Sequence, residues 1–441
     1  MLSRSTETAH KVYGIIHPRE QYSSQRDLKL TAFNPREREL GAKFFEAGGW
    51  ERPQWFESNK PLLDSYRERI PVRESEWDAR WWSPIINAEH LAMRERVAMI
   101  DLSAFSKFDV TGDGALEYMQ RMTVAQMDVP VSRLVYTPIL NQMGGVVADL
   151  TVARIGHNHF RVIAGGASGN MDKTWFQSHL PQDESVKFAD VTEEYSVLGV
   201  WGPSARELLQ SISDDDVTNS AFPFSTVKQI TIGDASVWAV RISDVGELGW
   251  ELYIPVGQSL GVWDLIWAKR KAFGLVPAGI GVYLSTARLE KSYRLQGSDL
   301  ETEYDSYESG VARPKVKPQG FVGREAYLAT RKIEPAATLC TMTVDCNQSS
   351  IGINRYMSGG EPLLTMDGRP IVDAKGRRSY VTSAADGPSI GKYMLMGYLP
   401  PLYAVPETNL QVEYFAERYP VTVKAVGNTP LYDPENAKLR D

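Results

Sequence analysis

The sequence predicts an α+β protein that ends in a small all-β domain. Three observations carry this. Between about residues 86 and 335, strand-like and helix-like stretches interleave without the strict rhythm of a doubly wound sheet. From about Thr338, short strand-like runs alternate with Gly, Pro and Asp turns, the pattern of a barrel or jelly roll. The first 85 residues are polar, aromatic and irregular. A chain of 441 residues is long for one core. The expected division is therefore a wrapping segment (1–85), a body (86–335) and a β domain (336–441).

In the first segment, Asn34 reads as a helix cap and Pro35 as the first helical residue. The helix runs into Gly48-Gly-Trp-Glu-Arg-Pro-Gln-Trp-Phe, a turn with exposed-looking aromatics. Such a stretch does not fold alone, so it should wrap over the larger body with Trp50, Trp55 and Phe56 as anchors. A second tryptophan cluster follows at Trp77, Trp81 and Trp82.

In the body, Ile86 to Val97 has apolar residues at helical spacing. Ala98 to Ser103 and Ser106 to Gly112 read as strands, and Asp113 to Met122 as a helix. Leu134 to Leu140 and Val146 to Ala153 form a hairpin across Asn141-Gln-Met-Gly-Gly. His159 to Ala164 is a strand, Asn170 to His179 a helix, Val197 to Pro203 a strand and Ser204 to Gln210 a helix. Two more helices are expected, Gly257 to Phe273 and Tyr283 to Tyr293. The last domain offers six short strands, at Leu339–Val344, Pro362–Leu364, Tyr380–Ser383, Met394–Leu399, Leu410–Tyr414 and Tyr419–Val423.

Composition and motifs set aside several chemistries. The 43% hydrophobic and 23% charged fractions are those of an ordinary globular chain. A formal net charge of −7 argues against a general nucleic-acid binder. Two cysteines, Cys340 and Cys346, point to neither a disulfide framework nor a zinc site. No signal peptide or membrane-spanning run is apparent, and the expected location is the cytoplasm. There is no dinucleotide fingerprint, phosphate-binding Gly-Lys-Ser/Thr loop or Gly-x-Ser-x-Gly elbow. His157 and His159 flank Asn158 at a hairpin tip, where a solvated turn outweighs a metal site. Any chemistry must then rest on carboxylates, hydroxyls, positioning or a bound organic cofactor.

The stretch Arg241 to Pro255 stands out. Ser236 to Ser243 reads as one strand and Trp250 to Ile254 as the next. Gly246 and Gly249 permit a tight or bulged connection between them. The bend carries Glu247. By itself it allows either a solvated glutamate at a hairpin tip or a carboxylate held between buried strands.

Seven stretches, in order, resemble the aminomethyltransferase (glycine-cleavage T-protein) family, and more closely the folate-binding half of dimethylglycine and sarcosine dehydrogenases. They begin at Asp101-Leu-Ser-Ala-Phe-Ser-Lys-Phe-Asp-Val-Thr-Gly, Gly144-Gly-Val-Val-Ala-Asp-Leu-Thr-Val, Val200-Trp-Gly-Pro-Ser-Ala and Arg241-Ile-Ser-Asp-Val-Gly-Glu-Leu-Gly-Trp-Glu-Leu-Tyr. Ala287-Arg-Leu-Glu-Lys-Ser-Tyr-Arg, Phe321-Val-Gly-Arg-Glu-Ala and Met396-Gly-Tyr-Leu-Pro-Pro complete the set. Gly41 to Phe56 is similar to the linker that follows the flavin domain of those dehydrogenases; no stretch of these 441 residues resembles the flavin domain itself.

The resemblance implies a three-lobed, clover-like fold, two lobes in the body and one at the C-terminal end, around a central tetrahydrofolate site. It puts Glu247 on the pterin ring, where a carboxylate accepts paired hydrogen bonds from the amino-pyrimidine edge. It puts Tyr136 in the same pocket and Arg288 near the anionic glutamate tail. Without it, Tyr136 reads equally as a core tyrosine and Arg288 as half of a helical charge pair. Two positions depart from the family. Ala148 stands where the family has the first Asp of Gly-Gly-x-x-Asp-Asp, and strand alternation points Asp149 to the opposite face unless the strand bulges. Trp201 stands where Gln is frequent, either narrowing the pocket or packing in the core.

The expected activity is that of a tetrahydrofolate-dependent demethylase or methyltransferase, moving a one-carbon group from a small N-, O- or S-methylated compound. Asp149, Tyr136 and Asp244 are the candidate catalytic groups, and Glu247, Tyr136, Arg288 and Trp201 the candidate cofactor contacts. Two alternatives stand beside it. One is a folate subunit serving a separate flavoprotein dehydrogenase and capturing its iminium or formaldehyde as methylene-tetrahydrofolate. The other is a non-catalytic folate-binding protein.

Overall fold

In the computed structural model, which describes residues 2–441, the strands run in this order. A hairpin of β1 (Ala42–Ala47) and β2 (Trp50–Phe56) comes first. The body contains β3 (Val97–Asp101), β4 (Ser106–Thr111), β5 (Leu134–Leu140), β6 (Val146–Gly156), β7 (His159–Ala164) and β8 (Lys187–Asp190). It continues through β9 (Tyr195–Trp201), β10 (Thr226–Ile232), β11 (Ala235–Arg241), β12 (Gly249–Pro255) and β13 (Leu275–Pro277). One five-stranded sheet has the order β5-β6-β7-β4-β8, and one six-stranded sheet the order β10-β11-β12-β9-β3-β13. Only the β13–β3 pairing in these two sheets is parallel; the other pairs run antiparallel. This is the α+β arrangement that the interleaved pattern predicts.

The C-terminal sheet contains β14 (Thr338–Val344), β15 (Leu363–Leu364), β16 (Val381–Gly387), β17 (Lys392–Leu399), β18 (Asn409–Tyr414) and β19 (Glu417–Val426). Its order is β15-β18-β19-β14-β17-β16, antiparallel throughout. A bridge between Pro362 and Tyr380 brings its two edges towards each other. The sheet is thus a curled half-barrel, which shields its edge strands from open pairing.

The N-terminal hairpin does wrap over the body. Trp50, Trp55 and Phe56 are all buried, so the aromatics that read as exposed are anchors. Trp55 enters a core shared with Ile86 and Met93 of the helix Ile85–Glu95, Trp201 of β9 and Tyr283. Gly279 makes the approach possible, since a Cβ there would lie 2.0 Å from the Gln54 carbonyl oxygen.

Several local expectations change. Asn34 is the first residue of its helix, not the cap: Phe33 takes the cap position, and Asn34 Oδ1 instead accepts from Arg38 Nε at 2.8 Å. The long helix expected at Gly257–Phe273 breaks into Ser259–Ala268 and Arg270–Phe273. The one expected at Tyr283–Tyr293 is a π-helix over Val282–Ala287 and a short α-helical turn over Arg288–Glu290. Such wide turns occur often at functional sites. The helix that begins at Asn34 stops at Glu39, so β1 replaces its expected second half and β2 the expected turn, and strands β8, β10 and β13, which are short or lie at sheet edges, escape the sequence reading as well. Among the described residues, no helix is long and apolar enough to cross a membrane.

Candidate active site

The β5–β6 hairpin forms one wall of the site. Its register opposes Tyr136 to Thr151, Thr137 to Leu150, Pro138 to Asp149 and Ile139 to Ala148. Residues 137, 139, 148 and 150 therefore share one face, and 136, 138, 149 and 151 the other. The first face is packed: Ile139, Ala148 and Leu150 join a core with Phe108 and Val162. The opposite face borders a solvent-accessible recess. Tyr136 is 39% exposed, and its hydroxyl donates to Asp149 Oδ2 at 3.0 Å. Position 148 thus faces the core. The carboxylate that β6 presents to the recess is Asp149, a diagonal neighbour of Tyr136, with no bulge needed between them.

Water reaches these groups, yet protein surrounds them. That enclosure pushes Asp149 up to about 6; the Tyr136 hydroxyl pulls it down and the charge of Asp244 pushes it up. Tyr136 is raised above the ordinary tyrosine value by the same enclosure and by Asp149. Asp244, on the bend after β11, is also exposed to solvent and raised by enclosure. It accepts a hydrogen bond from Tyr283 at 2.6 Å. The tertiary structure thus brings Tyr136, Asp149 and Asp244 into one electrostatic neighbourhood. A carboxyl group balanced near neutral pH can give or take a proton.

The bend itself is shaped by Ser243 and Gly246. Ser243 Oγ accepts from the backbone nitrogens of Gly246 and Glu247, both at 3.0 Å. Gly246 has φ +81°, and a Cβ there would meet Lys291 Cδ at 2.5 Å. Three residues beyond Asp244, Glu247 turns inward and is 1% exposed. Its Oε1 accepts from Arg94 at 3.2 Å and from the Tyr432 hydroxyl at 2.6 Å. Among the described residues, nothing donates to Oε2. Burial raises Glu247, while Arg94, Tyr432 and Lys438 oppose the rise.

Arg94 reaches onward to Glu290 at 3.2 Å, and its guanidinium lies 3.9 Å from the centre of the Tyr432 ring. Glu290 also contacts His90 Nε2 at 3.1 Å and accepts from the Ser389 amide at 2.7 Å. Burial opposes its charge, but His90, Arg94 and that amide outweigh it and hold Glu290 well below the usual carboxylate range. Burial pushes His90 down. Sequence reasoning missed Arg94, Tyr432 and His90, which no local pattern marks. Glu290 had one signal: it closes the Arg-Leu-Glu tripeptide that begins at Arg288.

Arg288 is buried and ion-paired, donating to Asp299 Oδ2 at 2.7 Å and to Ser383 Oγ at 2.7 Å. It lines a cavity next to the π-helix. Trp201 does not line the recess. It is fully buried, with Nε1 donating to the Ile242 carbonyl at 2.9 Å and its ring over Gly199, where a Cβ would lie 2.0 Å away. The expected cofactor contact at Trp201 is therefore corrected to a core position, because β9 turns that side chain into the sheet's packed face.

Comparison with known proteins bears on this geometry. Residues 33–315 match the GCVT N-terminal domain, and residues 355–433 the glycine cleavage T-protein C-terminal barrel domain. The chain is 29% identical to 4-methylaminobutanoate oxidase (formaldehyde-forming) of Paenarthrobacter nicotinovorans, across 99% of this chain and 50% of that protein. It is 28% identical to mitochondrial sarcosine dehydrogenase of Mus musculus, again across 99% and 50%. With the aminomethyltransferase of Staphylococcus haemolyticus (strain JCSC1435), identity is 28% over 85% of this chain and 90% of the other. The crystal structure of glycine cleavage system aminomethyltransferase T from Bartonella henselae superposes with a TM-score of 0.73 at 19% identity, covering 90% of this chain and 97% of that one. That likeness establishes the shared fold. The chain spans about half the length of the oxidase and dehydrogenase relatives.

Proposed function

We propose that this chain, which belongs to the glycine-cleavage T-protein family, binds tetrahydrofolate in the recess beside β5 and β6 and transfers a one-carbon group to it from a small methylated compound. The observation that carries the reading is the Tyr136–Asp149–Asp244 cluster, in which a carboxyl group near 6 is bonded to a tyrosine that water reaches. When bound, tetrahydrofolate supplies a secondary-amine nitrogen as the acceptor of the carbon.

The residues present suit such a ligand. Glu247 is a buried carboxylate, fixed on Oε1 by Arg94 and Tyr432, with Oε2 left to accept from an amino-pyrimidine edge. Methyl transfer forms a carbon–nitrogen bond, breaks the bond from carbon to the donor heteroatom, and moves one proton from acceptor to leaving group. Asp149 takes that proton as carboxylate and returns it as the acid, a cycle suited to its value of about 6. Tyr136 orients Asp149 through its hydroxyl, and Tyr283 does the same for Asp244. In this reading Arg288, which lines the cavity next to the π-helix, meets the ligand's acidic tail.

A second reading is supported by the match to one half of relatives named as an oxidase and a dehydrogenase. In it, a separate flavoprotein generates the carbon unit, and this chain captures it on folate. The test uses purified chain, tetrahydrofolate and a panel of N-, O- and S-methylated donors, read by mass spectrometry. Methyl-tetrahydrofolate from the lone chain upholds the first reading. No donor consumption, with folate binding verified, sinks it. Methylene-tetrahydrofolate that appears only with an added flavoprotein partner upholds the second. Folate binding with no turnover in either assay leaves a binding protein.

A further inference from the structure

A cavity of about 260 Å³ lies where the N-terminal segment, the π-helix and the C-terminal sheet meet. Three arginines line it: Arg19, Arg52 and Arg288. None of its lining residues is acidic. Arg288 is neutralised from behind by Asp299. Arg19 and Arg52 have no such bonded counter-ion. Among the described residues, neither side chain makes a hydrogen bond or ion pair, and Arg52 Nε is buried without a partner. Arg19 stands at φ +61° on the segment that crosses the cavity. Its surface is open to water, but protein surrounds it, and burial pushes both guanidinium groups below the usual arginine value.

Asp386 and Glu46 act on Arg19 and Arg52 only through charge at a distance, so both guanidinium groups keep donors free for an anion in the cavity. The remaining wall says what kind. Phe45, Ile280 and Leu284 supply apolar surface suited to a carbon chain, and Ser285 and Ser298 add hydroxyls. Guanidinium forks match carboxylates in two-point contact. We propose that Arg19, Arg52 and Arg288 form a binding site for an organic carboxylate, built from residues other than the Tyr136–Asp149–Asp244 cluster. Its occupant would lie next to the proposed active site: Leu284, Ser285 and Arg288 belong to the same helical turns as Tyr283, whose hydroxyl holds Asp244. The carboxylate could belong to a free small acid or to the tail of a ligand seated in the recess.

Glutarate is the probe, titrated calorimetrically into the full chain with and without saturating tetrahydrofolate. One saturable site is expected, weakened by added salt. Arg19→Gln and Arg52→Gln should each weaken it about tenfold, the scale of a charge-assisted hydrogen bond. Circular dichroism and melting check that each variant is folded. Arg19→Gln, on an open segment, keeps the test alive if the Arg52 variant is not. Glutarate binding unchanged by tetrahydrofolate identifies a free acid; exclusion of glutarate by it identifies a ligand tail. No saturable binding, affinity equal in both variants and wild type, or binding of inorganic phosphate alone overturns the proposal. Tetrahydrofolate affinity, measured separately, shows whether the folate reading stands when this site fails.

Discussion

Replacing Asp149 by Asn removes the charge at the recess and keeps the shape. The Tyr136 hydroxyl can still donate to an amide oxygen, so folate affinity should change less than threefold, about 0.6 kcal/mol. The stability effect comes from the raised value of the acid. A carboxyl whose value is higher folded than unfolded contributes fully below the unfolded value, and that contribution is lost as pH rises through the folded one. For Asp149 the window runs from 3.8 to about 6. The full difference corresponds to about 3 kcal/mol. Water in the recess screens it, leaving about 1–2 kcal/mol. Asp149→Asn should therefore melt higher than wild type above pH 6 and match it below pH 4. Turnover should fall by about 10²–10⁴, the usual share of a positioned acid–base group, and the inflection near pH 6 in the rate should disappear. Melting scans across pH and single-turnover methyl transfer read both effects. A folded variant with unchanged turnover and an unchanged melting profile would refute the assignment.

The same geometry yields other expected outcomes. Glu247→Ala leaves Arg94 with one counter-ion and should weaken tetrahydrofolate binding on the order of 2–5 kcal/mol, read by fluorescence titration; unchanged affinity in a folded variant removes Glu247 from the pterin. Tyr136→Phe removes the hydrogen bond that holds Asp149 down, so the kinetic inflection should move above 6; an unmoved profile argues that Tyr136 does not touch the titrating group. Gly246→Ala forces a left-handed backbone onto alanine against Lys291 and should cost about 1–3 kcal/mol by thermal melting. Glu37 is fully buried, and burial and Asp101 raise its value. Wild-type stability should therefore decline as pH rises above the unfolded glutamate value, and Glu37→Gln should flatten that decline.

The α+β class, many of the body's strands, the C-terminal β domain and the anchoring role of Trp50, Trp55 and Phe56 were legible in the residues, because local periodicity and turn chemistry act over a few positions. The alternation of β6 was legible too. Which of its faces points outward was not, since a strand carries both faces equally until other elements cover one. That is why Asp149 could be named as a candidate while its strand face stayed open, and why Trp201 could be placed in the pocket when β9 buries it. The wide turn at Val282–Ala287 depends on packing that helical spacing does not encode. Residues 94, 247, 290 and 432 lie far apart along the chain and meet only once the C-terminal segment crosses the bend. By itself, the sequence determined the strand grammar and marked one acidic bend. Tertiary structure alone decided which carboxylate faces water, which is locked to Arg94 and where Arg19 and Arg52 stand without a bonded counter-ion, because burial and charge pairing are properties of neighbours brought together from distant parts of the chain.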